Sequence, residues 1–184
     1  MPLTKVRAGG TDGFGFVLLN SASTTTNAST LEISTDYSGY NHFYLTLGAK
    51  GVNSTTGSWD FRMKRAGQSS FDSGSTDYSC SGLNFDGGSY TNRNQNSQNT
   101  GEFFFSNNAQ SDWIVNAWLY NFGNTDRQLS CVSHATKVQT DGNATYGMQS
   151  GYNGTKNLER IIALEIFFQS GDLDYSDYQI YGIK

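Results

Sequence analysis

The sequence predicts an all-β fold, an antiparallel β-sandwich, and three observations carry that reading. Short runs alternate apolar and polar residues: Phe43, Leu45 and Leu47 stand against His42, Tyr44 and Thr46, and Trp59, Phe61 and Met63 against Asp60, Arg62 and Lys64. Period two is the mark of a strand with one buried face. Clusters of Gly, Asn, Ser and Thr separate the runs at sandwich-like intervals, with 21 Gly to form turns and the single proline, Pro2, outside the body of the chain. Aromatic residues make up 14% of the chain, and they favour strands and anchor interfaces.

Residues 1–15 mix basic and small residues, with Leu3 and Val6 as the large aliphatics, and read as an arm that needs a partner. Residues 16–184 read as one sandwich domain, since a chain of this length fills one core and its composition shows no break. Phe16 to Leu19 is the first strand, and Ser21 to Thr30 is a Ser/Thr/Asn loop with nothing to bury. Leu31 to Ser34, His42 to Leu47, Trp59 to Arg65 and Tyr78 to Phe85 follow as strands. The run Asn92 to Thr100, almost wholly amide and hydroxyl, supplies surface polarity and is given no strand.

Glu102 to Ser106, Trp113 to Asn121, Gln128 to Lys137 and Tyr146 to Gln149 continue the series. In the second of these, Trp113, Val115, Ala117 and Leu119 alternate against Ile114, Asn116, Trp118 and Tyr120, so both faces are apolar. Such a strand is either central between two layers or carries an interface on its outer side. Residues 155–168 offer a helix as an alternative, with Thr155 as N-cap. A helical face buries Glu165, whereas a strand gathers Ile162, Leu164, Ile166 and Phe168, so a strand over Ile161 to Phe168 is expected. Tyr178 to Ile183 is the closing strand, and the fold is expected to finish where the chain does.

Twelve Lys and Arg against sixteen Asp and Glu give a net charge of -4, with only 15% of residues charged. That balance points away from nucleic acid and from acidic membrane surfaces. No run approaches the roughly 18 apolar residues of a membrane span, and Met1 to Asn20 lacks the layout of a secretion signal, so a soluble cytosolic product is expected. The glycosylation sequons at Asn27, Asn53, Asn143 and Asn153 are then background in an Asn- and Thr-rich chain. Cys80 and Cys131 are expected to be reduced and buried, and can bridge only if their strands are adjacent.

Chemistry finds little purchase. His42 and His134 have no second ligand type at useful spacing, Gly-x-Ser-x-Gly is absent, and Gly13-Phe14-Gly15 lacks the third glycine of a phosphate loop. A glycoside hydrolase needs two acids about 5 to 9 Å apart on one face. The strand acids here are Glu102, Glu165 and Asp60, and a solvated charged face explains them as well. Asp172, Asp174 and Asp177 read as a polar turn without the central Gly and distal Glu of a calcium loop. No catalytic residue, metal or cofactor is expected. Aromatic residues in polar settings are the positive signal, with Tyr90 and Tyr152 as candidate glycan contacts. Subunit contact and plain cross-strand pairing use the same residues.

Several pieces, in order, resemble the β-sandwich virion proteins of tailed bacteriophages, of tail-fibre, appendage or capsid-decoration type. They are the arm Leu3-Thr4-Lys5-Val6 with Gly9 and Gly10, then Tyr40 to Leu47, Phe61-Arg62-Met63 with Gly67, and Tyr78. Trp118-Leu119-Tyr120-Asn121, Gly151-Tyr152 before Ile161 to Leu164, and Ser170-Gly171 before the closing Tyr181-Gly182-Ile183-Lys184 complete them. The resemblance implies a jelly-roll sandwich, a homotrimer, and no catalytic residues. It also implies a place on the virion, assembled in the host cytoplasm, with other phage structural proteins as partners and a host surface glycan as a further ligand. The long shaft-forming region of a complete fibre has no counterpart here, which suits a decoration protein or small appendage subunit. In that setting Leu3, Lys5, Val6 and Arg7 are the expected particle-attachment residues. A receptor-binding carbohydrate module is the alternative.

Overall fold

The structure, a computed structural model, describes residues 15–24, 28–52, 57–86, 89–106, 112–125, 127–139, 142–152, 159–169 and 171–183. Twelve strands follow one another: β1 (Phe16–Thr24), β2 (Leu31–Ser34), β3 (His42–Val52), β4 (Gly57–Arg65), β5 (Tyr78–Asp86), β6 (Ser89–Gln98), β7 (Gly101–Ser106), β8 (Asp112–Tyr120), β9 (Ser130–Gln139), β10 (Gly142–Tyr152), β11 (Ile161–Phe168) and β12 (Asp172–Ile183). They form an eight-stranded sheet in the order β1-β12-β3-β8-β9-β10-β5-β6 and a four-stranded sheet in the order β2-β11-β4-β7, antiparallel throughout.

The connectivity is that of an eight-strand jelly roll. The quartet β1-β12-β3-β8 faces the quartet β2-β11-β4-β7, and the chain crosses between them at β1 to β2, β2 to β3, β3 to β4, β7 to β8 and β11 to β12. Two hairpins interrupt this plan. β5–β6 lies between β4 and β7 in sequence, β9–β10 lies between β8 and β11, and both add to the β8 side of the larger sheet. The alternating positions meet between the sheets: Phe43, Leu45 and Leu47 of β3 and Val115, Ala117 and Leu119 of β8 face Trp59, Phe61 and Met63 of β4 and Leu164, Ile166 and Phe168 of β11. Polar links tie the layers together where apolar contact alone does not fix their relative slide. Ser133 Oγ in β9 donates to the Phe103 carbonyl in β7 at 2.7 Å, and the Tyr78 hydroxyl accepts from Met63 N–H at 2.8 Å and donates to the Asp72 carbonyl at 3.1 Å.

The connection from β4 to β5 is pinned by Arg65. Its guanidinium reaches both Asp72 carboxylate oxygens, at 2.7 and 3.2 Å, and Glu159 at 2.6 Å. The fork of the guanidinium matches the carboxylate plane. Hydrogen bonding to Asp72, aided by Glu159 and opposed by burial, raises the Arg65 pKa above its already high ordinary value. The Tyr40 ring lies over Gly182, where a Cβ would come within 2.3 Å of Tyr40 Cδ1. Only glycine admits that ring.

Several boundaries differ from the sequence reading. β6 replaces an expected polar surface segment: it runs beside β5 from Asp86↔Ser89 to Tyr78↔Gln98 as the last strand of its sheet. A strand held by its ladder rather than by burial needs no apolar alternation. β1 runs on to Thr24, into the expected loop. Asp172, Asp174 and Asp177 are not turn residues; they belong to β12, which begins at Asp172, and Lys50 on β3 meets Asp174 at 3.7 Å. In β11 a register shift between Ile161 and Ala163 puts Ile161, rather than Ile162, fully inside. The strand reading of Ile161–Phe168 holds.

Cys80 and Cys131 are buried and unbridged. Both pair in register with Ser150 on β10, so a whole strand stands between them. Two strand spacings put their Cα atoms about 9.5 Å apart, beyond the 4.4–6.8 Å a disulfide spans. Burial, and secondarily the nearness of Cys80, pushes the Cys131 thiol pKa well above the usual range.

Candidate functional site

The outer face of the larger sheet carries an apolar stripe that crosses five strands. Successive register pairs align Leu18 of β1, Tyr181 of β12, Tyr44 of β3, Trp118 of β8 and Val132 of β9. Paired residues share a face because side chains alternate with period two. Phe16, near the start of β1, closes the group edge-on, with its ring 5.5 Å from Tyr44, 5.7 Å from Trp118 and 6.3 Å from Tyr181. Tyr44 and Trp118 are in contact at 4.9 Å. Tyr120 lies nearly parallel to Trp118, at 6.2 Å and 11°, and stands 6.0 Å from His42.

A polar row borders the stripe, formed by Gln179, Thr46, Asn116 and His134 in register. The tyrosine hydroxyls turn toward it: Tyr44 donates to Asn116 Oδ1 at 2.9 Å, and Tyr181 donates to Gln179 Oε1. Satisfying the hydroxyls locally leaves the ring surfaces as what this face offers. Phe16 remains 51% exposed and Tyr120 39%. Aromatic rings grouped and left open on a sheet face are the composition of an interface core rather than of an ordinary solvated surface. His42 is engaged in the fold, its Nδ1 accepting from Asn121 N–H at 3.0 Å, where Asn121 takes a positive φ of 63° to turn the chain.

The outer face of the smaller sheet is charged. Glu165 stands opposite Glu32 and Arg62 and meets the Arg62 guanidinium at 3.4 Å. Glu102 pairs in register not with Glu165 but with Asp60, and both are buried, at 3% and 2% exposure. Asp60 accepts from the Thr100 hydroxyl at 2.9 Å. By strand spacing and rise, the Glu102 and Glu165 backbones are about 12 Å apart. Among the described residues no three His, Cys, Asp or Glu side chains gather as metal ligands, and no helix is long and apolar enough to cross a membrane.

Leu3, Lys5, Val6 and Arg7 lie outside the described residues. Tyr90 falls in β6 opposite Phe85, and Tyr152 falls in β10 opposite Tyr78. Those partners lie seven residue steps apart along β5, about 23 Å at the rise of a strand, so the two tyrosines do not share a site. The members of the aromatic face were only partly signalled. The two-faced pattern of β8 pointed to Trp118 and Tyr120, but Phe16 and Tyr181 join them through β1-β12-β3-β8 adjacency, which no local pattern encodes. Comparison with protein families, with characterised proteins and with solved structures finds no match for this chain.

Proposed function

We propose that this chain is a non-enzymatic structural subunit of a bacteriophage particle, exposed on its surface as a capsid decoration or a short tail appendage, and docked through the aromatic face of β1-β12-β3-β8. The observation that carries the docking role is that face: the Phe16 ring meets those of Tyr44, Trp118 and Tyr181, and Phe16 and Tyr120 are open to solvent. The jelly roll supports the reading at the level of fold, since capsid and lectin domains use it, and fold alone does not assign function. The placement on a phage particle rests on the resemblance of the sequence pieces. A low-charge Asn, Ser, Thr and Gly surface suits a subunit that stays soluble until it assembles. The test is incorporation. Purified particles are analysed by quantitative mass spectrometry for the chain and for its Trp118→Ser variant. Presence of the wild-type chain with at least tenfold loss of the variant supports the proposal; absence of the wild-type chain, or equal incorporation, overturns it.

The near-parallel Trp118 and Tyr120 rings beside Asn116 and His42 favour a second reading, a receptor-binding carbohydrate module. Flat rings next to amide and imidazole groups suit pyranose faces and hydroxyls. Glycan-array binding lost on Tyr120→Ala supports this reading, and an array without signal removes it.

A further inference from the structure

We infer that β1 is a pairing edge, on which a second copy of this chain lays its own β1 antiparallel across a two-fold axis; this deepens the docking role proposed above and rests on it. Among the described strands β1 has one neighbour, β12, and ends the sheet order. Its first residues are apolar and open on both faces of the sheet, with Phe16 51%, Val17 36% and Leu18 39% exposed. Edge strands are ordinarily guarded by charge, proline or a covering element. The sequence of β1, FVLLNSAST, contains neither a charged residue nor a proline, whereas the opposite edge, β6, carries Arg93 among amides and hydroxyls.

Charge argues for a copy of the same chain as the occupant. Two copies of a chain of net charge -4 repel one another overall, and a strand without charge is where they approach at least cost. The extent of pairing is bounded. The register of β1 on β12 shifts between Leu18 and Asn20, and Asn20 Oδ1 already accepts the Ser21 N–H at 2.9 Å, so the open stretch of ladder is Phe16 to Leu19. Antiparallel pairing there is isologous and centred on Leu18, with Val17 of each copy opposite Leu19 of the other. It also joins the two aromatic stripes end to end, Leu18 against Leu18, into one apolar band across a continuous sheet. An edge contact this short buries less than the roughly 1,000 Å² of a stable complex. Pairing is therefore weak in dilute solution and strengthened where copies are held at high local concentration.

Sedimentation equilibrium of the full chain, from micromolar to several hundred micromolar, tests this together with amide hydrogen exchange. The expected result is a species of twice the 20.2 kDa chain mass that grows with concentration. Protection of the Phe16 to Leu19 amides should rise in parallel, and both effects should be absent in Leu18→Lys, whose circular dichroism matches wild type. A chain that stays monomeric throughout, a threefold mass, or pairing that survives Leu18→Lys overturns the inference. Occupation of β1 by residues 1–14 of the same chain belongs to the first of these outcomes and appears as protection independent of concentration. Wild-type pairing in a chain missing from purified particles isolates failure of the docking role from failure of the pairing.

Discussion

Replacing Tyr78 with phenylalanine tests how the two sheets are held in register. The ring is fully buried, and its hydroxyl joins β5 of one sheet to β4 of the other by accepting from Met63 N–H at 2.8 Å and donating to the Asp72 carbonyl at 3.1 Å. Tyr78→Phe keeps the ring and its edge contact with Phe61 at 6.3 Å while removing both hydrogen bonds. A neutral bond contributes about 0.5–1.5 kcal/mol net, and a buried group whose bond goes unmade costs about 1–3 kcal/mol, so the expected loss is about 2–3 kcal/mol. For a domain of this size that lowers Tm by about 5–10 °C. Urea unfolding followed by tryptophan fluorescence should show a lower midpoint with an unchanged slope. Tyr44→Phe serves as the control, because its hydroxyl bonds Asn116 on the outer face, where water replaces the lost partner. A Tyr78→Phe loss below about 0.5 kcal/mol, or equal losses in the two variants, would refute the cross-link and its assigned role.

Arg65→Met should cost about 3 kcal/mol in the same assay by leaving Asp72 and Glu159 without their shared cation, and Arg65→Lys should recover less than half, since an ammonium cannot fork across both Asp72 oxygens. Gly182→Ala should destabilise by about 1–3 kcal/mol through displacement of the Tyr40 ring, and Tyr40→Ala in the same chain should return part of that loss, as a double-mutant cycle will show. The raised Cys131 pKa predicts an alkaline limit. Its contribution to stability is fully present below the unfolded thiol value, near 8.5, and is lost as pH rises from there toward the folded value, because the unfolded chain sheds the proton first. Unfolding free energy should fall above pH 8.5 with a slope of up to about 1.4 kcal/mol per unit from this thiol, and Cys131→Ala should reduce that slope.

Period two was enough to place most of the jelly roll. His42 to Leu47, Trp59 to Arg65 and Ile161 to Phe168 could be read because each buries one face, and burial selects the alternation. β6 and the first half of β12 could not: Ser89–Gln98 presents no apolar row, and in Asp172 to Asp177 a register shift between Leu173 and Tyr175 breaks the alternation, so that buried Leu173 is followed by buried Ser176. The candidate site was legible only where it was local. Ile114, Trp118 and Tyr120 on the second face of β8 announced an outer surface, while Phe16 reaches Tyr44, Trp118 and Tyr181 through strand order, a long-range property. Tyr90 and Tyr152 have polar neighbours in sequence, but register sets their partners Phe85 and Tyr78 far apart along β5.

Cryo-electron microscopy of purified particles at side-chain resolution tests the central claim most directly, that the aromatic face of β1-β12-β3-β8 is how this chain docks. Docking through this face requires density for the chain at symmetric sites with Phe16, Tyr44, Trp118 and Tyr181 covered by protein. The same face open to solvent in the assembled particle, with contact made elsewhere on the sandwich, would contradict it.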